Sequence, residues 1–388
     1  ACYQWAEHLD QFWIGAGKMA SRMHPIKRGT ETLLWFENNP GLLLRVDETN
    51  GALLPVAMLG NNKGANLTNN LPPVWADALE KSQPSLSGKR DRRGWTGYSW
   101  ADANNDGAMQ ADELRLLSPA VHKNGHGFAV WGGARAVDEQ LNLYTTARYG
   151  PYNGLWVKYP AQGYTARGWP IWDWSRGESG PQLDDIHGAD SLALLKDGGV
   201  VSLHRGGGDK YVARDTYSPG HGWQWPANQT DGVGLCRWDA QGRKLWQVGT
   251  KAARRESMPG QLHYPVRISS ELPGYVAVCD KIVKPCEFWS DDGLYVGGLL
   301  DARVNDGLPP RLYVWWQAGK DNFDPQIGRA ALQYDMILGG SIVPLPNGEA
   351  LFLGAGWNNV PVYKVTGFDK VERQRGAVML RGEPPHAR

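Results

Sequence analysis

Two stretches of this chain align position by position: Ser191-Leu-Ala-Leu-Leu-Lys-Asp-Gly-Gly-Val-Val-Ser-Leu203 and Ser341-Ile-Val-Pro-Leu-Pro-Asn-Gly-Glu-Ala-Leu-Phe-Leu353. Each reads as strand, turn, strand. The Asp-Gly or Asn-Gly pair at the bend predicts a two-residue hairpin turn in which both central residues take positive φ. Variants recur over 42–59, 128–146, 235–248, 266–278 and 288–300. One hairpin cannot bury its apolar strands alone, so the unit demands neighbours. Radial repetition of four-stranded sheets answers that demand and leaves short, protected edges. The expectation is therefore an all-β chain folded as a β-propeller. At roughly 40 to 50 residues per blade, 388 residues give seven blades, with six or eight as alternatives. No linker marks a boundary, so residues 1–388 are taken as one domain, with 1–41 an irregular start and the first strands. A pair of β-sandwiches or a β-helix is the competing architecture.

Composition agrees with many short strands and tight turns: 49 glycines, 25 prolines and 19 tryptophans. Basic and acidic side chains nearly cancel, 41 against 40, so no field recommends nucleic acid as a partner. No apolar run approaches the roughly 20 residues that span a bilayer, so membrane insertion is not expected. The start at Ala1 carries neither a methionine nor a signal-peptide pattern, which suits a processed secreted protein or a piece of a longer one. Cys279 and Cys286 flank a segment that a disulfide could close, leaving Cys2 and Cys236 as the remaining pair; four reduced, buried thiols are the alternative.

Asp102-Ala-Asn104-Asn-Asp106-Gly107-Ala108-Met-Gln110-Ala-Asp-Glu113 carries the ligand spacing of an EF-hand loop. Oxygens from Asp102, Asn104, Asp106, the Ala108 carbonyl, Gln110 and Glu113 could surround a hard cation, and calcium is the expected cofactor. Its flanks are not helical. Trp95, Tyr98 and Trp100 alternate with small or polar residues before it, and only Leu114 to Leu117 follows. That alternation predicts a calcium-stapled connection between β-strands rather than a sensor helix pair.

Asp291-Asp-Gly-Leu-Tyr-Val-Gly-Gly-Leu-Leu-Asp301, Pro361-Val-Tyr-Lys-Val-Thr-Gly-Phe-Asp369 and the tryptophan-bearing strand entering the loop resemble large secreted bacterial β-propeller proteins, similar in repeat style to NHL and quinoprotein-like propellers. The resemblance runs from about Leu42 to the C-terminus. It implies a propeller that is secreted, periplasmic or at the cell surface.

His126, His187 and His263 each precede an apolar strand. At equivalent blade positions they would converge at the central channel, where imidazoles could hold a transition metal or act as a general base. The alternative is that each caps its own strand. His187, His263, Tyr264 and Arg267 are the candidate catalytic set: Arg267 would neutralise a uronate carboxylate, while another side chain takes the α-proton in a lyase-type elimination. Trp169, Trp172 and Trp174, with Trp223 and Trp225, could stack on sugar rings or pack between blades. Gly242-Arg-Lys-Leu-Trp246, after Trp238-Asp-Ala-Gln, resembles the repeat of quinone-dependent propellers, a third reading. Phosphate-loop, Rossmann and GxSxG signatures are missing from the sequence. The function expected is recognition of a glycan or related polymer, with a histidine-centred site; the rival is a non-catalytic scaffold that binds protein partners in a larger assembly.

Overall fold

A computed structural model of the chain describes residues 4–5, 22–37, 41–61, 73–82, 97–117, 135–146, 155–181, 191–205, 216–218, 222–224, 233–251, 260–262, 265–280, 286–299, 339–355 and 362–373. Within them the expected hairpins form, and they assemble into a β-propeller arrangement of five successive blade sheets.

The first blade is the largest. It holds β1 (Gln4–Trp5), β2 (Arg22–Arg28), β3 (Glu31–Glu37), β4 (Gly41–Asp47), β5 (Ala52–Asn61), β6 (Gly97–Ala101) and β7 (Leu114–Leu117). Strands β2 to β7 run antiparallel in chain order, and β1 lies parallel to the start of β5. Helix α1 (Pro73–Ser82) sits between β5 and β6 in sequence and buries Ala78 among Tyr98, Trp100 and Leu114. The second blade comprises β8 (Arg135–Val137), β9 (Leu143–Thr146), β10 (Trp156–Tyr159) and β11 (Glu178–Ser179). In the third, β12 (Ser191–Leu194) and β13 (Val200–Arg205) join β16 (Val233–Trp238) and β17 (Lys244–Val248). Two pairs form separate two-stranded sheets: β14 (Thr216–Ser218) with β15 (Gly222–Gln224), and β18 (Thr250–Lys251) with β19 (Gln261–Leu262). The fourth blade is β20 (Pro265–Ser269), β21 (Tyr275–Asp280), β22 (Cys286–Ser290) and β23 (Tyr295–Leu299). The fifth is β24 (Gly339–Pro344), β25 (Ala350–Ala355) and β26 (Val362–Val365).

Period-two alternation gives each sheet two faces, and both must be covered. Stacking does this. Trp35 and Leu43 of the first blade meet Leu143 and Val157 of the second. Trp156 of the second meets Val200 and Trp238 of the third, its indole edge-on to Trp238 at 5.9 Å. Val201 and Leu203 meet Ile268 and Val276 of the fourth; Ala277 and Phe288 meet Ile342 and Phe352 of the fifth. Strands β8, β12, β20 and β24, which open their blades, lie against one another in succession and form the inner side of the arrangement.

Five blades among the described residues, rather than seven, follow from how hairpins are shared. The units over 191–203 and 235–248 belong to one sheet, as do those over 266–278 and 288–300. A four-stranded blade uses two hairpins, so counting hairpins overcounts blades. The first blade also spends residues on seven strands and a helix.

The turns differ from expectation as well. At Leu195, Asp239, Ser290 and Leu345 the same geometry recurs: the N–H donates to the carbonyl four residues on, and the N–H three residues on donates back. The residue three positions on is left-handed in each, at Gly198, Gly242, Gly293 and Gly348. Asp197 and Asn347 do not share that positive φ. These are three-residue loops, a type I turn followed by a left-handed residue, rather than two-residue turns. Asp138 opens a fifth copy in which Leu141 takes the glycine's place at φ 63°.

Cys279 and Cys286 do not form the expected disulfide. Their thiols are unbridged, as is that of Cys236, and all three are buried. The sulfurs of Cys279 and Cys286 fill the apolar layer between the fourth and fifth blades, and burial pushes the Cys236 thiol up to about 12. Cys2 lies outside the described residues.

Candidate functional site

The Asp102 to Glu113 loop connects β6 to β7, which pair through Trp100 opposite Leu114. The flanking strands anticipated from alternation are thus present. Asp102 is 1% exposed, and its N–H donates to the Val56 carbonyl of β5 at 3.0 Å. Its carboxylate accepts from Asn105 N at 2.5 Å and Gly107 N at 3.0 Å. The chain can make this bend because Asn105 and Gly107 are both left-handed, at φ 65° and 71°. Asn tolerates that region better than most residues, and Gly lacks the Cβ that opposes it.

Around this bend the other ligand-type side chains bond to one another and to the backbone of the loop. Asp106 Oδ2 accepts from Asn104 Nδ2 and from Gln110 Nε2, each at 2.8 Å. Asp106 Oδ1 accepts from Ala108 N at 2.8 Å. Glu113 reaches back to the loop's beginning, where Oε1 accepts from Ala103 N at 2.7 Å and Oε2 from Trp100 Nε1 at 2.9 Å. Burial raises the Asp102 carboxyl above the usual carboxylate range against the pull of those two amides, and the Glu113 and Asp106 charges push the same way. Among the described residues, no three imidazole, thiolate or carboxylate side chains stand together as a metal cluster. An EF-hand site also uses amide and backbone oxygens. One of those, Gln110 Oε1, is buried here without a hydrogen-bond partner.

A second polar group lies on the inner side and was not found from the sequence. His24 of β2 stands between two carboxylates, with Nδ1 3.0 Å from Glu271 and Nε2 3.4 Å from Glu37. Arg267 of β20 approaches Glu37 at 3.6 Å. Side-chain exposure is 4% for Glu37 and 7% for Arg267. Glu271 also accepts from Ser269 Oγ, which in turn accepts from the Ile342 N–H of the fifth blade at 3.4 Å. The group therefore joins blades one, four and five. Glu37 did carry a signal, since it continues the buried register of Leu33 and Trp35, where a charge needs a partner.

Of the candidate catalytic residues, Arg267 is described, and among the described residues it pairs with the protein's own Glu37. His126, His187, His263 and Tyr264 lie outside the described residues. Trp169 and Trp172 present no open face for a sugar: each is 1% exposed, within the layer between the first two blades. Trp172 stands edge-on to Trp35 at 5.8 Å and donates to the Leu141 carbonyl at 2.9 Å. Trp246 likewise docks blades, donating to the Asp291 carbonyl at 2.9 Å. A Cβ on Gly293 would come 3.1 Å from its ring, so glycine permits the approach. No described helix is long and apolar enough to cross a membrane.

No family model matches the chain, and no curated protein matches it. Among solved structures it is similar to the crystal structure of the Saccharomyces cerevisiae Sqt1, at 9% identity and a TM-score of 0.34, over 88% of this chain and 73% of that one. So distant a likeness carries no argument about role.

Proposed function

We propose that this chain is a calcium-stapled β-propeller that works as a non-catalytic interaction module, presenting blade loops to a protein partner in a larger extracellular assembly. The observation that carries the calcium half is the donor chemistry of the loop: Asp106 binds the Asn104 and Gln110 amides, Glu113 reaches back to Ala103 N, and Gln110 Oε1 is left buried without a hydrogen-bond partner. Asp102, Asn104, Asp106, Gln110, Glu113 and the Ala108 carbonyl would hold the ion. When bound it supplies positive charge to mutually repelling carboxylates. An extracellular setting, at the high end of the calcium concentrations over which such loops bind, would keep the site filled.

The module half is supported by how the polar inner side is used. A lyase needs an arginine free to meet a substrate carboxylate, whereas Arg267 meets Glu37, and the indoles at 169 and 172 are spent on blade packing. Two measurements test the reading. Chelation, or Asp106→Ala, should lower the melting temperature by several degrees, corresponding to roughly 1 to 3 kcal/mol of lost ion linkage; an unchanged transition in either case removes calcium from the account. Incubation with a panel of acidic polysaccharides should produce no ultraviolet absorbance from unsaturated uronates. Sustained turnover on any of them would replace the module reading with a lyase.

A further inference from the structure

The loop is tied to more than its own blade. After β10, residues 160–172 of the second blade fold into a small hairpin held by Gln162 N to Ile171 O at 2.8 Å and Thr165 N to Trp169 O at 2.9 Å. This hairpin leans back over the first blade. Arg28 of β2 donates to the Gly168 carbonyl at 2.7 Å, and its guanidinium lies 6.0 Å from the Tyr164 ring centre. Trp169, buried in the layer between the blades, sends its indole N–H to Asn105 Oδ1 at 3.4 Å.

Asn105 is the fourth residue of the loop, and its side chain is not among the expected ligands. It stands between two that are, Asn104 and Asp106, and its N–H is held by a third, Asp102. An ion that fixes 104 and 106 therefore fixes the carbonyl that Trp169 seeks. Asp102 to Val56 and Trp100 to Glu113 anchor the loop within the first blade. Asn105 to Trp169 crosses the seam.

We infer that calcium in the Asp102 to Glu113 loop controls how firmly the second blade docks on the first, with Asn105 and Trp169 as the coupling pair; this rests on the calcium reading above. Coupling between two sites is reciprocal. The ion tightens the seam, and an intact seam tightens the ion. A single hydrogen bond of about 1 kcal/mol corresponds to a factor of about five in either equilibrium.

Amide hydrogen exchange on the whole chain, with and without calcium, tests this. In the wild type, added calcium should slow exchange both in 102–113 and in the 162–171 hairpin. Asn105→Gly keeps the left-handed backbone while deleting the acceptor. It should retain protection of the loop, lose most of that in the hairpin and bind calcium about fivefold more weakly by calorimetry. Trp169→Phe, which keeps an aromatic ring in the layer, should do the same. Loop protection that never reaches the hairpin in the wild type, or hairpin protection that survives both variants, would overturn the coupling while leaving the calcium site intact. Absence of any calcium effect on the loop would sink the site and the coupling together.

Discussion

Leu141 is the residue whose backbone asks most of its side chain. Four sister turns place glycine where Leu141 stands at φ 63°, a conformation that costs a residue with a Cβ roughly 1 to 2 kcal/mol. Its side chain is 1% exposed in the first inter-blade layer, and its carbonyl receives the Trp172 indole N–H. Burial therefore offsets the strain. Leu141→Gly should relieve the backbone yet leave a hole, with a net loss of about 2 kcal/mol in chemical denaturation. A gain in stability would show that strain outweighs packing there. The strand-flanked loop from Asp102 to Glu113 was legible from its spacing and from the alternation before it, because that order lies in the chain itself. The inner-side group of His24, Glu37, Arg267 and Glu271 was not, because its members come from distant strands.

At the scale of the element, the recurring turn is the part that sequence reading located without identifying its form. Asp197-Gly198 and Asn347-Gly348 do mark hairpins, but only the glycine is left-handed. A two-residue and a three-residue loop can share the same letters, and the strand register decides between them. Gly348 has nothing within 4 Å of where a Cβ would stand. Gly348→Ala should thus lose about 1 kcal/mol through backbone conformation alone, measurable as a shifted urea midpoint; a neutral result would remove the argument. Acid should weaken the same turns. Asp239 lies below the ordinary carboxylate range because the Arg243 backbone N–H binds its charged form, and Glu349 is lowered by hydrogen bonds from Lys364 and Asn347. A carboxyl lowered on folding contributes stability above its unfolded value, and that contribution is lost as pH falls through the folded one. Melting temperature should therefore decline from about pH 4 downward, and a flat profile there would count against the caps.

For the whole molecule, stacking in chain order was readable from the repeat, whereas the number of blades was not. Repeat units report hairpins, and only long-range pairing reveals whether two hairpins share a sheet. The inner-side charges add what stacking lacks, a direct link from the first blade to the fourth. Glu37→Ala would strip Arg267 of its one described ion-pair partner, and breaking a buried pair from one side costs roughly 3 to 5 kcal/mol. Replacing Glu37 by Leu and Arg267 by Met together should cost far less, since no buried charge then faces the other's absence. Equal losses in the single and double variants would mean that the pair is not what joins these blades.

That link also sets a timetable for synthesis. His24 and Glu271 are 247 residues apart in the chain, so at about 5 to 20 residues per second roughly 12 to 50 s separate their emergence from a ribosome. Through that interval the first blade must exist with its inner edge uncovered. Its β2 to β4 meander closes locally and early, but Glu37 waits for Arg267. The nascent chain is therefore most exposed to misassociation before the fourth blade appears, which is when a chaperone would find it.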